Sequence, residues 1–144
     1  MIRQLVCVLL LMVGGVAHVQ AEQGCPYPSA IKYVDGYFQA TAGTVLWQSP
    51  KIGHRQFVEQ FIGAIFTPSK EQDRESGYVD KCSYLTNEGQ RVDLRYGRSG
   101  EVETMSLTGT LHWRLASDPF DLPVYICQDS QPDNCSFTVK KPKA

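Results

Sequence analysis

The chain is poor in the groups on which most enzymes rely. Histidine occurs only three times in 144 residues, and His18 follows directly on the N-terminal apolar run, leaving His54 and His112 as candidate bases. Neither sign of charge is in excess, because 14 Lys and Arg stand against 15 Asp and Glu. Such a balance gives no general attraction for nucleic acid or acidic lipid, so neither is expected as a partner. G-x-G-x-x-G, the phosphate-binding P-loop, H-E-x-x-H and C-x-x-C are all missing, which removes the readable signatures of dinucleotide, nucleotide and zinc chemistry. No cofactor or metal is therefore expected. Beyond the N-terminal block no apolar stretch approaches the roughly 20 residues that cross a bilayer as a helix, so stable membrane insertion is not expected.

What is present begins at the N-terminus. Met1-Ile2-Arg3-Gln4 precedes an apolar run from Leu5 to Val16, and Val19 and Ala21 supply small residues at cleavage spacing. This is the layout of a secretory signal peptide over 1–21, cut between Ala21 and Glu22. The expected mature chain, 22–144, is long enough for one core, and a single disulfide-stabilised β-rich domain is expected there. Its expected location is the periplasm or the exterior of the cell.

Removing the leader takes Cys7 with it, and Cys25, Cys82, Cys127 and Cys135 remain. An even number of cysteines in an oxidising compartment reads as two disulfides. A lipid anchor on Cys25 would need small or apolar residues before it, where Glu22 and Gln23 stand, and would leave an odd thiol. Of three possible pairings, Cys127 with Cys135 closes the shortest loop, across Gln128 to Asn134. Cys25 then joins Cys82 and ties the N-terminal segment to the middle of the chain.

The pattern between the cysteines is that of short strands and tight turns. Ala30–Val34 and Tyr37–Ala42 flank Asp35-Gly36, a hairpin dipeptide. Thr44–Trp47 follows and ends before Pro50. His54 to Thr67 is ambiguous: Phe57, Val58, Phe61, Ile62 and Ile65 recur at helical spacing, while β-branched and aromatic residues favour a strand. A helical turn at its start and a strand over about Gln60–Thr67 are expected. Pro68 to Ser76 reads as an exposed loop. Tyr78, Cys82 and Tyr84, then Val92, Leu94 and Tyr96, alternate with polar residues about the turn at Asn87-Glu88-Gly89, predicting two antiparallel strands. After a turn at Gly97 to Gly100, strands are expected over Val102–Leu107, around Trp113, over Val124–Cys127 and over Ser136–Val139. Leu111, Trp113 and Leu115 are expected to share one face and His112 and Arg114 the other. Seven to nine short strands with at most one short helix predict a mainly β fold, a small antiparallel sandwich or barrel.

Candidate chemistry is sparse. Ser29-Ala30-Ile31-Lys32 has the S-x-x-K spacing of penicillin-recognising enzymes, but their S-D-N and K-T-G elements are missing. Gly97-Arg98-Ser99-Gly100 reads as a turn and Asn134-Cys135-Ser136 as a formal glycosylation triplet. Tyr33, Tyr37, Phe38 and Trp47, with Tyr27, cluster in the first third and form the candidate binding patch.

Cys25-Pro26, Trp47, Phe61 with Ala64 and Phe66, Cys82-Ser83-Tyr84, Cys127 and Cys135-Ser136-Phe137 together resemble a family of small exported four-cysteine proteobacterial proteins of unknown function. The resemblance implies an envelope or extracellular location and a β fold, and no activity. The function expected is a non-enzymatic module binding another protein, as an inhibitor, immunity protein or secretion accessory. A carbohydrate or cell-wall-binding module is the alternative, and a small hydrolase centred on His54 or His112 the second alternative.

Overall fold

A computed structural model describes residues 22–42, 45–96, 104–107 and 111–140. The leader expected over 1–21, the turn at 97–100 and the start of the strand expected at Val102 lie outside the described residues. Eleven strands are present among the described residues, more than the seven to nine expected: β1 (Glu22–Gln23), β2 (Lys32–Val34), β3 (Tyr37–Ala42), β4 (Val45–Gln48), β5 (Val58–Pro68), β6 (Gly77–Thr86), β7 (Arg91–Tyr96), β8 (Thr104–Leu107), β9 (Trp113–Ser117), β10 (Pro123–Cys127) and β11 (Phe137–Lys140). Helical backbone among these residues is confined to single 3-10 turns at Pro28–Ala30 and Pro132–Asn134.

The fold is mainly β, as the pattern predicts, and takes the barrel-like form: one antiparallel sheet curled into a half-barrel. Its order runs β9-β10-β5-β6 and forks at β6. One branch leaves through β7 to β4, β3 and β2, the other through β8 to β11 and β1. The fork exists because β6 is long. Cys82 to Leu85 pair with β7, while Gly77, at the other end of the strand, pairs with Met105 of β8.

Turn chemistry sets the hairpins. Asp35 and Gly36 have φ of 51° and 91°, the positive pair that matches the twist of two-residue hairpins. Gly89, at φ 76°, closes the β6–β7 turn, and the Thr86 amide donates to the Gln90 carbonyl at 2.9 Å.

β5 is where periodicity misleads. It is extended from Val58 onward, and the expected helical turn before it is absent among the described residues. The register against β6 slips at Glu59 and Ile62, with a third slip at Asp80 of β6. Each extra residue flips the side-chain parity. Val58, Phe61, Ala64 and Phe66 consequently all face the core, spaced three, three and two apart, which imitates a helix. The slip at Asp80 likewise buries Val79 where simple alternation expected Tyr78. Bulges also bend strands, so the same residues curl the sheet.

The core is organised in rows that run across the strands. Trp113, Cys127, Ala64, Cys82 and Leu94 are successive partners across β9, β10, β5, β6 and β7, and all are buried. A second row places Phe61, Tyr84 and Val92 side by side, with the Phe61 and Tyr84 rings edge to face at 5.4 Å. Both disulfides grow from the first row: Cys25 bonds Cys82, and Cys127 bonds Cys135. This is the pairing that loop length favours.

The loops closed span 57 and 8 residues, which by chain entropy correspond to roughly 4 and about 2.5 kcal/mol. Replacing the Cys25–Cys82 pair by alanines is expected to lower the melting temperature more than replacing Cys127–Cys135, as differential scanning calorimetry would show. Gly63 gives a second prediction. It has φ 156°, and a Cβ there would stand 2.5 Å from the Cys127 carbonyl oxygen. Gly63→Ala is expected to cost about 3 kcal/mol, whereas Gly53→Ala, with nothing within 4 Å of the new Cβ, should stay within about 0.5 kcal/mol of the parent in urea unfolding.

Candidate functional site

The aromatic cluster does not form a binding face as a unit. Phe38 and Trp47 are fully buried, because β3 and β4 turn these rings inward. Trp47 meets Tyr96 edge to face at 4.8 Å and Phe137 at 6.4 Å, partners far away in sequence. Tyr33 and Tyr37 are partly exposed; the Tyr33 hydroxyl donates to the Ile52 carbonyl at 3.1 Å and its ring packs on Phe38. Tyr27 lies at the surface and donates to Asp133, tying the N-terminal segment to the Cys127–Cys135 loop.

The remaining candidates stand apart. His54 Nε2 lies 2.7 Å from Glu88 on an exposed turn, and His112 Nδ1 lies 3.8 Å from Asp129. Asp129 is itself engaged by the Gln131 amide and the Asn134 side chain, which hold its carboxyl below the usual range. These two hydrogen bonds to one carboxylate brace the loop bearing the Asn134 triplet. Ser29 is exposed in the 3-10 turn and Lys32 exposed on β2. Among the described residues no three His, Cys, Asp or Glu side chains gather as a metal site, and no helix is long and apolar enough to cross a membrane. Tyr84 is a structural donor: burial pushes its phenol up, and its hydroxyl bonds the Pro26 carbonyl at 2.6 Å beside the Cys25–Cys82 bridge.

The feature that stands out is the β9–β10 hairpin. Of seven large exposed hydrophobic residues among those described, four lie between 111 and 122: Leu111 at 92%, Leu115 at 47%, Phe120 at 84% and Leu122 at 58% exposure. Alternation places Leu111, Trp113 and Leu115 on one face, and that shared face is not covered along its whole length: β9 is the last strand of its branch. Only Trp113 is covered, by Phe66 at 6.4 Å and by a 2.9 Å bond from its indole to the Ser136 carbonyl.

The hairpin is nevertheless well ordered. The Asp118 carboxylate accepts from the amides of Phe120 and Leu122 at 2.8 and 2.9 Å, and the Asp118 amide donates to the Leu122 carbonyl. Asp121 completes the turn at φ 62°. At its other end Arg74 lies over the Tyr125 ring at 4.8 Å and donates to the Trp113 carbonyl at 3.4 Å, while Tyr125 donates to the Gln72 carbonyl. The outward bond at Trp113 also fixes the phase of the edge. In an antiparallel ladder successive residues point their amides and carbonyls to opposite sides. Trp113, Leu115 and Ser117 therefore aim these groups away from β10, and those of Leu115 and Ser117 meet no partner among the described residues.

A polar cluster marks the outer face of β6 and β7. Asp93 accepts from Ser83 at 2.6 Å and Arg91 at 3.2 Å, with Lys81 at 3.7 Å. Burial opposes its ionisation, but the Ser83 hydroxyl, Arg91 and Lys81 outweigh it and hold the carboxyl below the usual range.

Fold and site together define a disulfide-bonded antiparallel half-barrel that displays an ordered apolar hairpin at one edge. Residues 20–138 match the family described as protein of unknown function (DUF3757), and the chain belongs to that family. No curated protein and no solved structure matches it.

Asp93 gives a pH prediction. Its carboxyl titrates lower in the folded chain than when unfolded, so its contribution is complete above the unfolded pKa of about 4 and lost as pH falls through the lower folded value. Asp93→Asn should reduce stability at neutral pH by less than about 1 kcal/mol, since the group is partly solvated, and the difference from the parent should close as the pH falls through the lowered folded pKa of Asp93 in urea titrations.

Proposed function

We propose that this protein is an exported, non-enzymatic protein-binding module of the inhibitor, immunity or secretion-accessory type, and that it works in the periplasm or outside the cell. The observation that carries the reading is the β9–β10 hairpin. A monomer has little reason to hold Phe120 at 84% exposure on a turn fastened by one carboxylate, because exposed apolar groups of this size gain free energy only when something covers them. Order in the free state also reduces the entropy lost on docking. A free strand edge beside the apolar groups is the geometry of strand addition, in which main-chain bonds give affinity and side chains give choice. The leader over 1–21 and two buried disulfides support export into an oxidising compartment.

Burial of Phe38 and Trp47 takes two of four rings from the carbohydrate reading, and the histidines each have a single carboxylate neighbour, which weakens the hydrolase reading. The test is affinity capture from periplasmic extract with the parent and with a Phe120→Asp, Leu122→Asp double variant. The parent is expected to retain a stoichiometric protein and the variant to lose it. Saturable binding of a glycan by both forms, with no protein retained by either, would overturn the reading.

A further inference from the structure

The edge strand is complementary to itself. Turned about a two-fold axis through Leu115, β9 of one copy would lie antiparallel to β9 of another, pairing Leu115 with Leu115, Trp113 with Ser117 and Arg114 with Ala116. The groups that point outward at Leu115 and Ser117 are those such a pairing needs, and the Trp113 carbonyl retains a second lone pair beside its bond from Arg74.

Charge favours the same arrangement. The N-terminal end of β9 carries His112 and Arg114, and its C-terminal turn carries Asp118 and Asp121. Antiparallel pairing places Arg114 of each copy, now bonded to Gln128 at 2.6 Å, one diagonal away from Asp118 of the other, with His112, which lies 3.8 Å from Asp129, opposite Asp118. Leu111 precedes β9 and Phe120 lies in the turn that follows Ser117, so the same two-fold sets the apolar end of each copy toward the apolar turn of the other. The two most exposed hydrophobic residues among those described, at 92% and 84%, thus flank the seam at the same ends. One operation accounts for the free edge, the charge asymmetry and the apolar residues at both ends.

From this self-complementarity we infer that the occupant of the hairpin edge is a second copy of this chain, in a symmetric β9-to-β9 dimer. The inference rests on the reading of the hairpin as a protein-docking edge; it assigns that edge to a second copy, so that an inhibitor, immunity or accessory partner would meet another face of the dimer.

Sedimentation equilibrium over a concentration series tests it, with the mature protein, Leu111→Asp, Phe120→Asp and Ser117→Pro. Proline at 117 removes one outward amide and leaves the β10 side of the strand intact. The parent is expected to reach twice the monomer mass as concentration rises, and each variant to weaken association by about tenfold or more. Unchanged near-ultraviolet dichroism would show that the variants remain folded. In a Leu115→Cys variant the paired Cα atoms would stand about 5.5 Å apart, within disulfide reach, so a covalent dimer is expected there and not from Arg114→Cys. A parent that stays monomeric to millimolar concentration, or a dimer unaffected by all three variants, would overturn the inference. If the parent is monomeric yet retains a different protein through Phe120 and Leu122, the second copy is excluded while the docking role stands. A monomer that retains no protein sinks both.

Discussion

The architecture depends on Cys82. It sits in the middle of the central strand, fully buried, between Ala64 on one neighbour and Leu94 on the other. Its bond to Cys25 pulls the otherwise weakly held N-terminal segment onto the sheet, where the Pro26 carbonyl receives the Tyr84 hydroxyl. A buried tyrosine needs a partner for its hydroxyl, so the disulfide and the hydrogen bond require each other. Two places further along the same row, Cys127 carries the second bridge. A half-barrel is covered less completely than a closed barrel, and covalent ties at its middle row replace apolar contacts that closure would supply.

How much of this could be read from the chain follows from where the controlling contacts lie. Turns determined by adjacent residues were legible: Asp35-Gly36 adopts the positive φ values its chemistry implies. The disulfide pairing was legible because loop length and parity decide it. Features set by strands remote in sequence were not. Phe38 and Trp47 belonged to the candidate binding patch, and what assigns them to the core is packing by remote strands, with Tyr96 and Phe137 against Trp47. β5 carried a helical rhythm because two bulges shifted its parity, and nothing in the residues themselves announces a bulge. Leu111, Trp113 and Leu115 showed a clean alternation, but alternation assigns a common face without saying whether the sheet continues far enough to cover it. At the last strand it does not, and the hairpin that carries the functional proposal was hidden behind that limit.

The bulges also say something about the free edge. Natural sheets blunt exposed edges with bulges, prolines, inward charges or very short strands. This chain places its bulges at β5 and β6, where the sheet must bend, whereas the β9–β10 register runs without a slip. The other two ends of the sheet are blunted by length: β1 has two residues and β2 three, with the charged Lys32 on the latter. β9, with five residues, is the longest of the three terminal strands, and beyond the Arg74 bond at Trp113 its outer side meets no partner among the described residues.

That inequality determines what kind of assembly the edge can build. A head-to-tail contact would need a second edge of comparable length on the same molecule, and would propagate into a filament if repeated. β1 and β2 offer too few hydrogen bonds to serve as that second edge. A two-fold pairing uses the same edge from both copies, so one contact consumes both free strands and growth stops. Among the described residues a two-fold pairing is therefore the arrangement in which this edge closes on itself without further growth. Leu111 and Phe120 flank that pairing from outside the strand, where mispairing by one residue would flip Leu115 to the other face and separate the basic end from the acidic turn.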